Sequence, residues 1–135
     1  MMKYLVAYGA ALLAVLFLDA IWLGLVASGF YARNIGHLMA ASPNLVAALL
    51  FYVAYPAGLV FFAVAPNRGQ KGWQYAAAHG AAFGFFAYGT YDLSNLATLR
   101  DWPLTVSIVD VIWGCVVSAV GASAGKLALD RVAAS

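Results

Sequence analysis

Four apolar runs, at residues 4–26, 46–65, 73–91 and 104–124, take up most of this chain of 135 residues. Each is close to the roughly 20 residues that an α-helix needs to cross the hydrocarbon of a bilayer. A backbone in lipid must satisfy its own polar groups, so the runs predict helices and leave no room for a soluble domain. The composition agrees: 65% of residues are hydrophobic and 9% charged, a balance that no soluble domain of this size could carry on its surface. The expected architecture is all-α, a polytopic membrane protein with one domain over residues 1–135 and four transmembrane helices.

The first run is too long for a signal peptide, contains Asp19 and lacks an A-x-A-like site before a polar start, so it reads as a retained helix. Lys3, Arg68, Lys71, Lys126 and Arg131 flank one side of the predicted spans, and Arg33 and Arg100 the other. The positive-inside rule then puts both termini in the cytoplasm. The formal charge of +2 is spread over the borders and forms no stripe that could follow phosphates, which argues against nucleic acid as a partner. Cys115 is the one cysteine and reads as a small core residue.

Between the first two runs, Phe30, Tyr31, Ile35, Leu38 and Met39 recur at helical spacing around Arg33, Asn34 and His37, predicting a short interfacial helix. Ser42 and Pro43 suit the cap and first turn of the second span. Pro56 falls inside that span and is expected to kink it. Residues 66–72 read as a cytoplasmic turn, and Trp73 and Tyr75 as interface anchors. The third helix is expected to continue through residues 92–99, and Asp101 to cap the fourth.

Five carboxylates, all aspartate, are present, and Asp19, Asp92 and Asp110 lie within or at the end of apolar runs. Each costs roughly 2.5 to 3.5 kcal/mol at the bilayer centre on insertion scales, so something must compensate: hydrogen bonds, a proton, a ligand or water. A rise of about 1.5 Å per residue puts all three in the outer half of the membrane. Small residues four apart mark packing faces, and the acids ride on them. Ala7, Ala11, Val15 and Asp19 form one row, Ala76, Gly80, Gly84, Tyr88 and Asp92 a second, and Asp110, Gly114, Ser118, Gly121 and Gly125 a third.

Common depth and inward facing predict a pocket open to the outer side, built from Asp19, Trp22, Tyr88, Tyr91, Asp92, Asn95, Thr98, Asp110 and Trp113. Grouped carboxylates in a low dielectric cannot all ionise, and Arg100 is expected to offset Asp92. The same residues can equally serve the fold alone, by hydrogen bonding across helices. His79, some 20 Å from Asp92 along one helix, reads as a hydrogen-bonded histidine near the cytoplasmic border, and His37 is a faint metal signal. Carboxylates alone would favour Ca²⁺, Mg²⁺ or Mn²⁺, but neither a metal nor another cofactor is expected.

One internal similarity stands out: Asp19-Ala-Ile-Trp22 against Asp110-Val-Ile-Trp113, on helices of opposite direction, the form an inverted repeat takes in transporters. Four readings follow. The first is a protein binding a small polar, cationic or lipid-headgroup ligand. The second is a proton- or cation-coupled transporter, for which four helices imply a homo-oligomer. The third is a membrane-embedded lipid-modifying or hydrolytic enzyme, for which no triad, phosphate loop or metal histidines speak, so catalysis is the less favoured expectation. The fourth is an accessory subunit.

The segments Leu18-Asp19-Ala-Ile-Trp22-Leu-Gly24, Phe30-Tyr31, Gly84 through Leu99 and Asp101-Trp102-Pro103 through Gly114 resemble the bacterial membrane-protein family called domain of unknown function 2177. Residues 91–98, Tyr-Asp-Leu-Ser-Asn-Leu-Ala-Thr, are the most specific part, and the likeness covers nearly the whole chain. It implies a small bacterial integral protein of the inner membrane and assigns no activity or site.

Overall fold

A computed structural model describes residues 1–134. The chain folds into α1 (Met2–Ile21), α2 (Ser28–Ile35), α3 (Leu45–Leu59), α4 (Gln74–Thr98) and α5 (Leu104–Ala134), with no strand among the described residues. Wider π turns extend α1 over Trp22–Val26 and α3 over Val60–Val64. Three helical segments are long and apolar enough to cross a membrane: Met2–Val26, Leu45–Asn67 and Leu104–Ala134. The helix expected over residues 73–91 is α4, whose 25 residues run through Asp92 to Thr98. Its length suffices for a span at about 1.5 Å per residue, but its glycines, hydroxyls, His79 and Asp92 leave it less apolar than the other three. The last helix runs ten residues past the expected end at 124.

The last helix, α5, runs antiparallel to both α1 and α4. Gly121 meets Val15 and Leu59, and Gly125 meets the Ala7 carbonyl, so α5 descends as α1 rises. Gly80 lies against Ser118, and Gly84 against Gly114, which sets α4 along α5 in the same sense. Every member of the α1 row is buried, as are Ala76, Gly80, Gly84 and Asp92 of α4 and Gly114, Ser118, Gly121 and Gly125 of α5. Bulky residues such as Leu13, Phe17, Phe61, Phe86 and Ile112 turn outward. Lipid is as apolar as leucine, so association rests on close backbone approach and van der Waals contact, which small residues permit.

Local sequence chose differently at the helix starts from what was expected. Asn44, two residues after Ser42, caps α3: its side chain accepts the Val46 and Ala47 N–H groups at 3.1 Å. Replacing Asn44 with alanine should therefore cost about 1 kcal/mol in thermal unfolding of the detergent-solubilised protein, and Ser42→Ala should cost nothing measurable. Asp101 does not cap α5, which begins at Leu104 after Pro103, whose carbonyl accepts the Val106 and Ser107 N–H groups. It holds a turn at φ 59, a left-handed conformation that aspartate tolerates better than most residues. Pro56 is buried inside α3, and the π turn at Val60–Val64 follows it.

Lys126 departs furthest from its expected place. It is fully buried instead of bordering the membrane with the other cations. Its Nζ donates to the Gln70 carbonyl at 2.9 Å and pairs with Asp130 one turn on, tying the 66–72 connection to α5. Asn67, also buried, donates to the Ala63 carbonyl.

Candidate functional site

The α1 row aims Asp19 into the bundle, where both carboxylate oxygens are occupied. Oδ2 accepts the Tyr52 hydroxyl from α3 at 3.0 Å, and Oδ1 accepts the Trp113 indole N–H from α5 at 3.0 Å. Trp113 stacks on Trp22 with ring centroids 4.5 Å apart and planes 5° from parallel. The Trp22 N–H in turn donates to the Tyr31 hydroxyl at 3.3 Å, and Tyr31 donates to Asp110 Oδ1 at 2.7 Å. Burial holds the Tyr31 phenol above its ordinary pKa, so it stays a donor.

The paired Asp-x-Ile-Trp motifs therefore meet face to face. Each indole points toward the acid of the opposite motif, Trp113 directly at Asp19 and Trp22 through Tyr31 at Asp110. The π turn at Trp22–Val26 lies between Trp22 and α2, the helix that carries Tyr31 back to it. Irregular turns of this kind recur at functional sites.

Asp92 ends the buried row of α4 and is 0% exposed. Neither of its carboxylate oxygens has a hydrogen-bond partner. The neighbouring Ser107 hydroxyl points at the Asp92 backbone carbonyl at 3.4 Å and itself accepts the Trp102 N–H at 3.0 Å. Arg100, the expected offset, is exposed beyond the helix end and makes no ion pair with Asp92.

Three cavities meet at Asp110. One of about 330 Å³ is lined by Asp19, Trp22, Phe51, Tyr52, Tyr88 and Trp113 among others. A second of about 390 Å³ runs past Phe51, Tyr55, Tyr88 and Tyr91. A third of about 370 Å³ opens between Tyr31, Ile35, Met39, Tyr91 and Trp102. Asp19, Trp22, Tyr88, Asp110 and Trp113 thus border one space, and Tyr91 the two beside it. Asp92, Asn95 and Thr98 line none of the three. Thr98 donates to the Ser94 carbonyl of its own helix.

Tyr31 and Tyr52 were not among the expected site residues. The available signal was chemical: a buried tyrosine hydroxyl needs a partner, and the acids were the acceptors to spare. His79 bonds the Tyr75 carbonyl through Nδ1 at 2.8 Å, and His37 lines no cavity at Asp110. Among the described residues no three His, Cys or Asp side chains gather closely enough to hold a metal. The arrangement presents carboxylate acceptors at the foot of aromatic-walled space. Because Trp22 and Trp113 each give one face to the other, Phe51, Tyr52 and Tyr88 supply much of the remaining ring surface.

No curated protein and no solved structure matches the chain. A family model described as "Predicted membrane protein (DUF2177)" matches residues 4–127, and the chain belongs to that family of membrane proteins.

Proposed function

We propose that the protein is a four-span component of the bacterial inner membrane, with both termini cytoplasmic and α2 lying at the outer interface. On this reading the Asp19–Asp92–Asp110 region receives a small ligand bearing an ammonium group, free or as a lipid headgroup, in the outer half of the bilayer. The length of α4 and its close seam with α5 support its role as the fourth span. Lys3, Arg68, Lys71 and Arg131 at one end of the bundle support the orientation.

The observation that carries the ligand reading is Asp110 at the junction of three aromatic-lined cavities, with no paired cation among the described residues. Intramembrane carboxylates facing such space mark binding sites and ion paths. Equilibrium dialysis of solubilised protein against labelled ethanolamine, with native mass spectrometry for phosphatidylethanolamine, tests it. Saturable binding is expected, weakened at least about tenfold, or about 1.4 kcal/mol, by Asp110→Asn. Binding that stays the same in Asp19→Asn, Asp92→Asn and Asp110→Asn would eliminate the reading.

The crossed Asp-x-Ile-Trp motifs favour a second reading, a cation-coupled transporter assembled as a homo-oligomer, since inverted halves place their sites at the repeat interface. Proteoliposomes that take up labelled ethanolamine down an imposed pH gradient would favour it over simple binding. A monomer without flux would count against it.

A further inference from the structure

We infer that the occupant of the Asp110 site is a membrane lipid, with its ammonium headgroup at Asp110 and its chain in the trough between α3 and α4. The inference rests on the proposed ammonium site and narrows its ligand to an amphiphile. The trough has a closed end and an open one. At the closed end Phe83 of α4 packs against Tyr55 of α3 and Phe62 of the π turn that extends it, with ring centroids 5.3 and 5.6 Å apart. About 12 Å farther along α4, at the usual helical rise, Tyr91 is exposed. On the α3 side every residue over 45–51 is exposed except the half-buried Ala48. The helices therefore part toward the start of α3, and the cavity of about 390 Å³ between them has Asp110 of α5 in its wall.

In a four-span bundle the open end faces hydrocarbon, where no water is at hand to fill a gap. Phe51, Tyr55, Ala87 and Tyr88 line the trough and suit a lipid chain. Asp110 does not: a carboxylate in the bilayer interior calls for a countercharge, and among the described residues no cation pairs with it. Tyr31 donates to its Oδ1, which leaves the charge in place. An ammonium tethered to a chain already in the trough meets Asp110 at high effective concentration. A free amine gains nothing from the trough. The remainder of a headgroup has room under α2, in the cavity of about 370 Å³ that carries Ser28 and Tyr31 and also reaches Asp110. The two spaces together have the outline of an amphiphile, with the polar part toward α2 and the tail between α3 and α4.

Photolabelling of the full chain in phosphatidylglycerol nanodiscs, with phosphatidylethanolamine carrying a diazirine on its acyl chain, reads where the tail lies. Label is expected to concentrate on residues 51–55 and 87–91 of the native protein, and to fall there at least about tenfold in Asp110→Asn. The same diazirine chain on a phosphatidylglycerol headgroup should show no such preference. Ala87→Phe fills the trough and should weaken retention of phosphatidylethanolamine, read by native mass spectrometry, at least about tenfold, and binding of labelled ethanolamine far less. Ala82→Phe, at an exposed position of α4 outside the trough, should change neither. Label spread evenly over the exposed faces, or undiminished in Asp110→Asn, overturns the lipid assignment. If ethanolamine binds saturably and phosphatidylethanolamine is not retained, the lipid assignment falls and the ammonium site stands. If neither binds, both fall.

Discussion

Gly84→Leu is expected to leave no folded protein, and Gly84→Ala to lower stability by roughly 3 kcal/mol, the upper part of the range for overpacked interiors. A Cβ at Gly84 would collide with the Gly114 carbonyl oxygen and stand 2.5 Å from Ser118 Oγ. The first of these is backbone in the middle of a helix and cannot swing aside as a side chain does. The two helices would have to part, and the damage would spread along the seam. Gly80 depends on the same closeness, since its own Cβ would lie 2.5 Å from the Ser118 carbonyl oxygen. Ser118 also bonds the Tyr55 hydroxyl at 2.7 Å, so α3 would lose its anchor on α5. Gly89 is the control on the same helix. It is buried, but a methyl group added there would meet nothing within 4 Å, so Gly89→Ala should be neutral or stabilise by up to about 1 kcal/mol through helix propensity. Thermal unfolding in detergent separates the two, and equal behaviour would mean that α4 and α5 are not in backbone contact at Gly84.

That seam was legible in the sequence because membrane helices sort residues by size. Leucine, phenylalanine and isoleucine are as content in lipid as in a core, so hydropathy says little about facing, whereas alanine and glycine four apart mark where backbones touch. Ala7, Ala11, Val15 and Asp19 showed the rule at work, and every one of them is buried. The crossing of the two Asp-x-Ile-Trp motifs could be suspected from their opposite directions. The partners could not. Which hydroxyl reaches Asp19 or Asp110 depends on how far α3 and α2 slide against α1 and α5, and for Tyr31 also on the π turn after Ile21, which no periodicity announces. Neighbouring residues of equal aptitude defeated local reading in the same way. Ser42 and Asn44 can both cap a helix, and only the path of the chain selects Asn44. Lys126 misled for another reason: Asp130 one turn away was visible, but the Gln70 carbonyl that completes its shell comes from a loop 56 residues earlier.

Asp92→Leu is expected to stabilise the fold by about 1 to 3 kcal/mol, the range for relieving a buried polar group that has no partner, while removing ethanolamine binding. Leucine has somewhere to go, since a cavity of about 340 Å³ beside Asp92 is walled by Phe85, Leu93, Leu104, Ile108 and Ile112. The Ser107 contact falls on the Asp92 backbone carbonyl and survives the change, and Asp110 keeps Tyr31. Asp19→Leu should move stability the other way by at least about 2 kcal/mol, because it strands the Trp113 N–H and the Tyr52 hydroxyl together. Thermal unfolding of the two variants side by side is therefore a comparison of signs, which is more robust than either magnitude. An acid whose oxygens both accept bonds across helices is part of the architecture, and removing it damages what it joins. An acid that stabilises the protein by its absence must be retained for something other than the fold, and at Asp92 the available role is to meet a charge that enters from the Asp110 side. Should both leucine variants lose stability, Asp92 would belong with Asp19 among the residues that hold the helices together, and the case for a ligand at Asp110 would rest on the cavities alone.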